Sequence, residues 1–345
     1  MTEHHPIEIS PPDLAPHRHG NAGVDFVHVL DSGRPGPTVL VQALTHGNEI
    51  CGAIALDRLL RSGRRPMVGR LIAVFANVAA FARFDFDDPD ASRYVDEDYN
   101  RVWADEVLDG PRDSVELRRA RELRPFVDRA DFLLDIHSMH EPCRPIMVCG
   151  MLDKHLALAK EIGLPADLLI DTGHPAGVRM RDRGPFNDPD RPQQAVLIEC
   201  GQHWEQRAAD VANDCLLRFL AATGVVALDS IRAQLKVELP AHQRVVRATE
   251  PVVAQSMDFR FLVPMEGLGI VAKAGTPIAQ DGESVWHAPY DNTVLVMPSM
   301  RHLKPGNTQV RLGRYDAGRG VVRPDGVDRP DTKRDSAIFP MASRR

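Results

Sequence analysis

The sequence lacks the features of several common protein classes. It holds five cysteines in 345 residues, none in C-x-x-C spacing, so a disulfide framework is not indicated. Its apolar runs are shorter than the roughly 20 residues needed to cross a bilayer. The formal net charge is -6, which gives no support for a nucleic-acid or anionic-membrane partner. These absences give no support for a membrane-spanning, disulfide-rich or nucleic-acid-binding protein.

The beginning of the chain also lacks the apolar core of a signal peptide. Residues Met1 to His19 are polar and rich in proline and histidine. Together with the few, scattered cysteines, this predicts a reduced, cytoplasmic protein.

What the sequence does contain is an alternation of apolar strands and helical segments. The predicted strands are 24–30, 38–44, 71–76, 132–136 and 195–199, and the predicted helices are 50–61, 112–128, 156–162 and 208–221. This alternation predicts an α/β fold in which helices flank a mixed, largely parallel sheet. The glycine- and proline-broken β segments from about residue 230 predict a smaller all-β C-terminal domain.

Composition divides the chain into four predicted parts. These are an N-terminal arm (1–22), a catalytic domain (23–230), a β-rich C-terminal domain (231–314) and a polar tail (315–345). Within the catalytic domain, the segment 177–194 is predicted to be a long loop, and long loops near a site often act as lids.

A histidine and a glutamate, His46 and Glu49, stand three residues apart directly after a predicted buried strand. A catalytic zinc usually has three protein ligands and one open position for water, so a third ligand is required. His137 is the best candidate because it follows the strand 132–136, and ligands gather at the carboxyl ends of strands in open α/β sheets. Asp135, two residues earlier on the same face, can accept a hydrogen bond from the His137 ring. These residues predict a site for one zinc ion per chain.

A hydrolytic zinc site also requires a general base. Glu199 ends the apolar strand 195–199 and is expected at the same sheet edge as the metal ligands. Zinc lowers the pKa of its water to about 7, and a carboxylate can accept the proton and return it to a leaving amine. The sequence therefore predicts metal-assisted hydrolysis with Glu199 as the base. It gives no firm role to His203, which follows closely.

Four short motifs together resemble the succinylglutamate desuccinylase/aspartoacylase family, relatives of the zinc carboxypeptidases. In chain order the motifs are His46-Gly47-Asn48-Glu49, Asp98-Tyr99-Asn100-Arg101, Asp135-Ile136-His137 and Ile198-Glu199-Cys200-Gly201. Their order and rough spacing agree with the family across about residues 38 to 205. The resemblance implies a zinc carboxypeptidase-like fold and hydrolysis of a small N-acyl amino acid or related amide.

The resemblance also implies roles for several polar residues. Arg93 matches an arginine that polarises the scissile carbonyl, while Asn100 and Arg101 match a pair that holds the substrate carboxylate. A guanidinium fork suits both tasks. A further family arginine has three candidates here, Arg179, Arg181 and Arg183, of which Arg181 is preferred.

Two other functions remain open from the sequence. One is a carboxypeptidase or peptidoglycan amidase, which uses the same metal chemistry on a polymer. The other is a non-catalytic small-molecule-binding protein of the same fold. The sequence does not fix the acyl group, the amine, a preference for amide over ester, the native metal or the oligomeric state, and a homo-oligomer remains open.

Overall fold

The computed structural model describes residues 5–301 and 303–316. Its strands are β1 Val27–Asp31, β2 Thr38–Ala43, β3 Arg70–Phe75, β4 Phe132–Met139, β5 Ile146–Val148, β6 Asp167–Ile170, β7 Gln194–Gln202, β8 Arg244–Val253, β9 Arg260–Phe261, β10 Ile270–Val271, β11 Pro277–Asp281, β12 Ser284–His287, β13 Thr293–Val296 and β14 Thr308–Tyr315.

Helices lie between these strands in the first two thirds of the chain. They are α1 Ile50–Arg61, α2 Val78–Phe81, α3 Asp105–Leu108, α4 Val115–Val127, α5 Asp153–Ile162 and α6 Gln206–Ala222. Short 3-10 turns lie at Ala15–His17, Pro89–Ser92, Tyr99–Arg101, Met180–Asp182, Gly184–Asn187, Leu228–Ser230 and Arg232–Gln234.

Within the described residues, eleven strands form one mixed sheet, in the order β1-β3-β2-β4-β7-β5-β6-β8-β14-β13-β10. The central strands β3, β2, β4 and β7 pair in parallel, as do β5 with β6 and β6 with β8. Strands β9, β11 and β12 form a separate antiparallel sheet. The predicted α/β fold with a β-rich C-terminal region is confirmed, although several C-terminal strands extend the main sheet.

Apolar side chains cover both faces of the central strands because the strands are buried between layers. Leu134 and Ile136 face the apolar cluster that contains α1 and α6, whereas Leu133 faces the cluster that contains α4. Asp135 and His137 therefore share the face of Leu133, since side chains alternate along a strand. This alternation presents two polar groups together at one end of a buried strand.

The predicted N-terminal arm packs on the catalytic domain over its described part. Ile9 and Leu14 are buried in the core, and the His17 ring stacks on Phe75 with 5.5 Å between centroids. At the other end, the predicted polar tail lies outside the described residues from 317 onward. The four domain boundaries remain predictions.

The strands β4 and β7 extend three residues beyond their predicted ends. His137 and Glu199 consequently lie within these strands and oppose each other in the parallel ladder. A register shift follows, because Met139 pairs with Gln202 and β7 therefore contains one extra residue. Such bulges are frequent beside active sites, where they redirect side chains.

Candidate active site

The first two predicted ligands lie at the corner between β2 and α1. His46 Nδ1 is 2.7 Å from Glu49 Oε1, and both side chains are buried. Gly47 permits the tight corner, because a Cβ there would lie 2.3 Å from the Ser92 carbonyl oxygen. The sequence therefore needs glycine between the two polar residues if they are to meet.

The third predicted ligand reaches the same point from β4. His137 Nδ1 lies 3.0 Å from Glu49 Oε2, so both imidazoles present Nδ1 to one carboxylate. One ligand atom from each of His46, Glu49 and His137 lies within 4.8 Å of the others. The structure thus brings together the three residues that the sequence predicts as ligands.

The outer nitrogens of both imidazoles face carboxylates. His137 Nε2 is 2.9 Å from Asp135 Oδ2, and Thr45 Oγ1 donates a 2.7 Å hydrogen bond to the other Asp135 oxygen. His46 Nε2 is 3.0 Å from Asp98 Oδ1. Carboxylates behind metal-binding histidines fix ring orientation and raise ligand basicity. The Asp135 contact agrees with the arrangement expected from sequence, whereas the Asp98 contact was not foreseen.

Electrostatics at this point favour a bound cation. Burial acts to raise the pKa of Glu49, but His46 and His137 outweigh it and hold that pKa well below its ordinary value. Burial acts to lower the pKa of His137, but Asp135 and Glu49 outweigh it and raise that pKa well above its ordinary value. The carboxylates thus stabilise positive charge between them. Two imidazoles and a carboxylate are also a ligand set that zinc accepts, so the residues fit the ion.

Glu199 lies beside this trio, opposite His137 on β7. Part of its side chain lines a cavity, while Oε2 is buried and has no hydrogen-bond partner among the described residues. Burial raises the pKa of Glu199 to about 8, and the Glu49 carboxylate adds to the effect while His137 opposes it. Such a carboxyl can take up and release a proton near neutral pH.

Arginines concentrate on the wall of the cavity, which has a volume of about 260 Å³. The predicted residues Arg93, Asn100 and Arg101 all line it. Arg93 Nη2 lies 3.2 Å from Asp98 Oδ2 and 3.0 Å from His46 Nε2. Burial acts to lower the pKa of Arg93, but Asp98 and Glu49 raise it, so the guanidinium stays charged beside the trio.

Two further arginines line the cavity and share one carboxylate. Arg179 donates to both Asp171 oxygens at 2.9 Å, and Arg311 of β14 donates to Asp171 Oδ2 at 3.0 Å. Arg311 was not foreseen, because its position depends on how the C-terminal strands extend the sheet. With Arg101, these arginines form a cationic face suited to carboxylates.

The structure does not bring Arg181 to the cavity, contrary to the sequence-based preference. Its guanidinium is buried, and Nη2 donates to the carbonyls of Cys149 and Ala195 at 2.9 and 3.1 Å. Arg179 directly precedes the 3-10 turn Met180–Asp182, whereas Arg181 lies within it, so the two side chains point in different directions. Arg179 lines the cavity and Arg181 does not. Arg183 binds Asp105 at 2.9 Å, away from the site.

Two histidines to which the sequence gives no firm role also line the cavity. They are His140 and His203, with ring centroids 4.6 Å apart. His203 Nδ1 lies 2.7 Å from Ser138 Oγ. Burial lowers the pKa of His203 to about 3, so its ring is neutral. The only signal in the sequence is its position four residues after Glu199.

The fold and this arrangement define a class: an α/β protein with a candidate hydrolytic metal site at the ends of parallel strands. The family model described as succinylglutamate desuccinylase/aspartoacylase catalytic domain matches residues 35–222. The chain therefore belongs to the succinylglutamate desuccinylase/aspartoacylase family, whose members are amide-hydrolysing enzymes.

Solved structures show the same fold at low sequence identity. Succinylglutamate desuccinylase from Vibrio cholerae is 18% identical, with a TM-score of 0.63 over 84% of this chain and 86% of that one. The enzyme of that name from Chromobacterium violaceum is also 18% identical, with a TM-score of 0.60 over 86% and 90%. The ectoine utilization protein EutE (DoeB) from Ruegeria pomeroyi, in a product-bound structure, is 17% identical, with a TM-score of 0.61 over 84% and 89%.

A search of curated proteins found no match. No helix in residues 5–301 and 303–316 is long and apolar enough to cross a membrane.

Proposed function

We propose that this protein is a zinc-dependent hydrolase that cleaves the amide bond of a small N-acyl amino acid or related acylated compound. The observation that carries the proposal is the convergence of His46, Glu49 and His137 beside Glu199 at the base of an arginine-lined cavity. We assign the three converging residues as ligands of one zinc ion per chain. When bound, zinc supplies a water of lowered pKa and polarises a carbonyl.

The remaining steps belong to side chains of this chain. Glu199 accepts a proton from the attacking water and returns it to the departing nitrogen. Arg93 lies 3.9 Å from Glu49 at its nearest approach and stabilises negative charge as it develops on the carbonyl oxygen. Its pairing with Asp98 fixes the guanidinium in place before substrate arrives.

The cationic face orients the substrate by its carboxylate. Arg101 uses one nitrogen to bind the Asn100 carbonyl oxygen, while its Nη2 stays 4.0 Å from Asp98. That leaves donors available for a substrate carboxylate, together with Asn100. We propose Arg179 for the third substrate-binding position, in place of Arg181.

The size and lining of the cavity favour a small substrate over a polymer. Met297, Pro298 and Ser299, from the segment after β13, line the cavity together with Thr308 of β14. A wall of this kind restricts the space that an extended peptide needs. This supports a deacylase over a carboxypeptidase or peptidoglycan amidase.

The test is a panel of N-acyl amino acids assayed with metal-depleted protein before and after zinc is added. We expect hydrolysis of at least one member, loss of activity on depletion and recovery with one equivalent of zinc. Full activity without metal, or no hydrolysis of any member, contradicts the proposal. Faster cleavage of peptides longer than two residues favours the carboxypeptidase alternative, and binding without turnover favours the non-catalytic one.

A further inference from the structure

Ser138 and His203 form a buried hydrogen-bonded pair in the cavity wall that the mechanism above does not use. The two residues are 4% and 1% exposed, and Ser138 Oγ lies 2.7 Å from His203 Nδ1. The other ring nitrogen, His203 Nε2, is buried without a hydrogen-bond partner among the described residues. A buried polar atom without a partner is unfavourable, so a ligand atom that pairs with it gains binding energy.

The bulge in β7 explains how His203 comes to face Ser138. In a regular ladder, His203 would share the face of Glu199, because the two residues are four apart. The extra residue after Glu199 reverses the alternation, and Gly201 takes the positive φ of 117° there. The His203 amide then donates to the Met139 carbonyl at 2.8 Å, which fixes the bulged segment to β4. The bulge thus redirects this side chain beside the site.

His203 lines the same cavity as the proposed reaction site. That cavity is also lined by Glu49, Arg93 and Glu199. The reacting carbonyl lies beside these groups if the proposed function is correct. His203 therefore faces the cavity in which that carbonyl would lie.

Resting on the proposed function, we propose that His203 Nε2–H donates a hydrogen bond to the scissile carbonyl oxygen as negative charge develops on it. Ser138 Oγ–H donates to Nδ1 and so fixes the tautomer that carries its proton on Nε2. A buried donor held in place before the reaction stabilises the transition state without reorganisation. Ser138 is a positioning residue in this arrangement, and His203 acts together with Arg93.

Steady-state kinetics of zinc-loaded variants on the best substrate of the panel test this role. His203→Leu is expected to lower kcat by about 100- to 1,000-fold with little change in KM, as for loss of one oxyanion donor. His203→Gln keeps an N–H donor at a similar distance and should recover part of the rate. Ser138→Ala should lower kcat less than His203→Leu. His242→Gln, an exposed histidine far along the chain, is the matched control and should be unchanged.

A transition-state analogue gives a second readout. The inhibition constant of a phosphonamidate analogue of the same substrate should rise across the variants in proportion to the fall in kcat/KM. Zinc content and thermal unfolding of each variant confirm that metal and fold are retained. If His203→Leu does not fold, His203→Gln and Ser138→Ala supply the same comparison.

The outcomes separate this inference from the proposed function. Suppose that the native chain is active and the His203 variants are folded and zinc-loaded. The role of His203 alone is then overturned if the variants keep the native kcat, change only in KM, or bind the analogue as tightly as the native chain does. A native chain that hydrolyses no N-acyl amino acid overturns the proposed function, and the role of His203 with it.

Discussion

At the scale of a single residue, Glu199 must both accept a proton and donate one. Its burial raises the pKa to about 8, which makes the carboxylate a stronger base than an ordinary glutamate but keeps much of the group protonated at neutral pH. The base, however, must first be deprotonated to accept a proton from water. A cation held by His46, Glu49 and His137 favours the carboxylate form, because opposite charges lower the pKa of a carboxyl. Metal binding and proton transfer are therefore linked through this side chain.

The first prediction concerns Glu199→Gln. The amide cannot accept the proton, so kcat should fall by about 100- to 10,000-fold while zinc content stays the same. In the native chain, kcat/KM should decrease as pH falls through the pKa of Glu199, at or below pH 8, because protonation removes the base. Kinetics from pH 5 to 9 measure both effects. Glu205→Gln is the control, and near-native activity in Glu199→Gln contradicts the role.

Asp98 gives a second prediction at this scale. It contacts His46 Nε2 at 3.0 Å and Arg93 at 3.2 Å, so it orients one ligand and one arginine. Asp98→Asn should weaken zinc affinity by roughly 10- to 100-fold, the usual effect of removing a carboxylate behind a ligand histidine. Competition with a chromogenic chelator measures the affinity. Asp229→Asn, at an exposed pair with Arg232, should bind zinc as the native chain does; equal affinities in both variants would show that Asp98 does not support His46.

At the scale of elements, apolar patterning predicted the central strands and helices well. The predicted helix 50–61 has the observed bounds of α1, because a strand before it and basic residues at its end define it. The apolar pattern predicts ends for β4 and β7 that are three residues too early, because polar side chains such as His137 interrupt the apolar run while backbone pairing continues. Sequence patterns detect burial, whereas ladders depend on the neighbouring strand.

The candidate site shows the same division. Residues in short local motifs, such as His46 and Glu49, could be predicted because spacing along the chain determines their meeting. Other contacts could not be predicted, since each joins residues far apart in sequence. They are the contacts of Asp98 with His46, of Ser138 with His203, and of Arg311 with Asp171 at the cavity. A 3-10 turn, rather than any residue preference, decides that Arg179 and not Arg181 lines the cavity.

The helix α5 carries a prediction about stability. His155 donates to the Phe186 carbonyl at 2.8 Å and accepts from the Ala195 amide at 3.0 Å, so its ring is neutral in the folded chain. Burial, followed by the charge of Arg181, lowers its pKa from 6.5 to about 3. Between these values the unfolded chain binds the extra proton, so the stabilisation present above pH 6.5 is lost as pH falls toward 3.

The expected size of that loss is about 2 kcal/mol between pH 7 and pH 5, from 1.36 kcal/mol per pKa unit. His155→Gln removes the titrating group. Between pH 7 and pH 5, its unfolding free energy should therefore decrease by about 2 kcal/mol less than that of the native chain. Urea unfolding at the two pH values measures the difference. His242→Gln should retain the native pH dependence, and an equal decrease in His155→Gln and the native chain would show that His155 does not couple pH to folding.

At the scale of the whole molecule, the catalytic strands and the C-terminal strands build one cavity. Arg311 of β14 reaches Asp171 at 3.0 Å and the Gly173 carbonyl at 2.9 Å, in the segment that follows β6. Arg301 likewise donates to Asp90 at 2.6 Å. These ion pairs join segments more than 130 residues apart. The C-terminal region therefore contributes charge to the cationic face as well as a wall to the cavity.

Arg311→Gln tests this contribution, because the change removes a positive charge from the cationic face and leaves the metal ligands untouched. We expect KM for an N-acyl amino acid to rise by about tenfold or more, since a charge-assisted contact or its support is lost. KM for the matching N-acyl amino acid amide, which has no carboxylate, should change little. Steady-state kinetics on the acid and amide pair measure this selectivity. Arg314→Gln is the matched control, because Arg314 lies on the same strand with its side chain exposed. An equal rise in KM for acid and amide would mean that Arg311 supports the cavity wall without reading the substrate carboxylate.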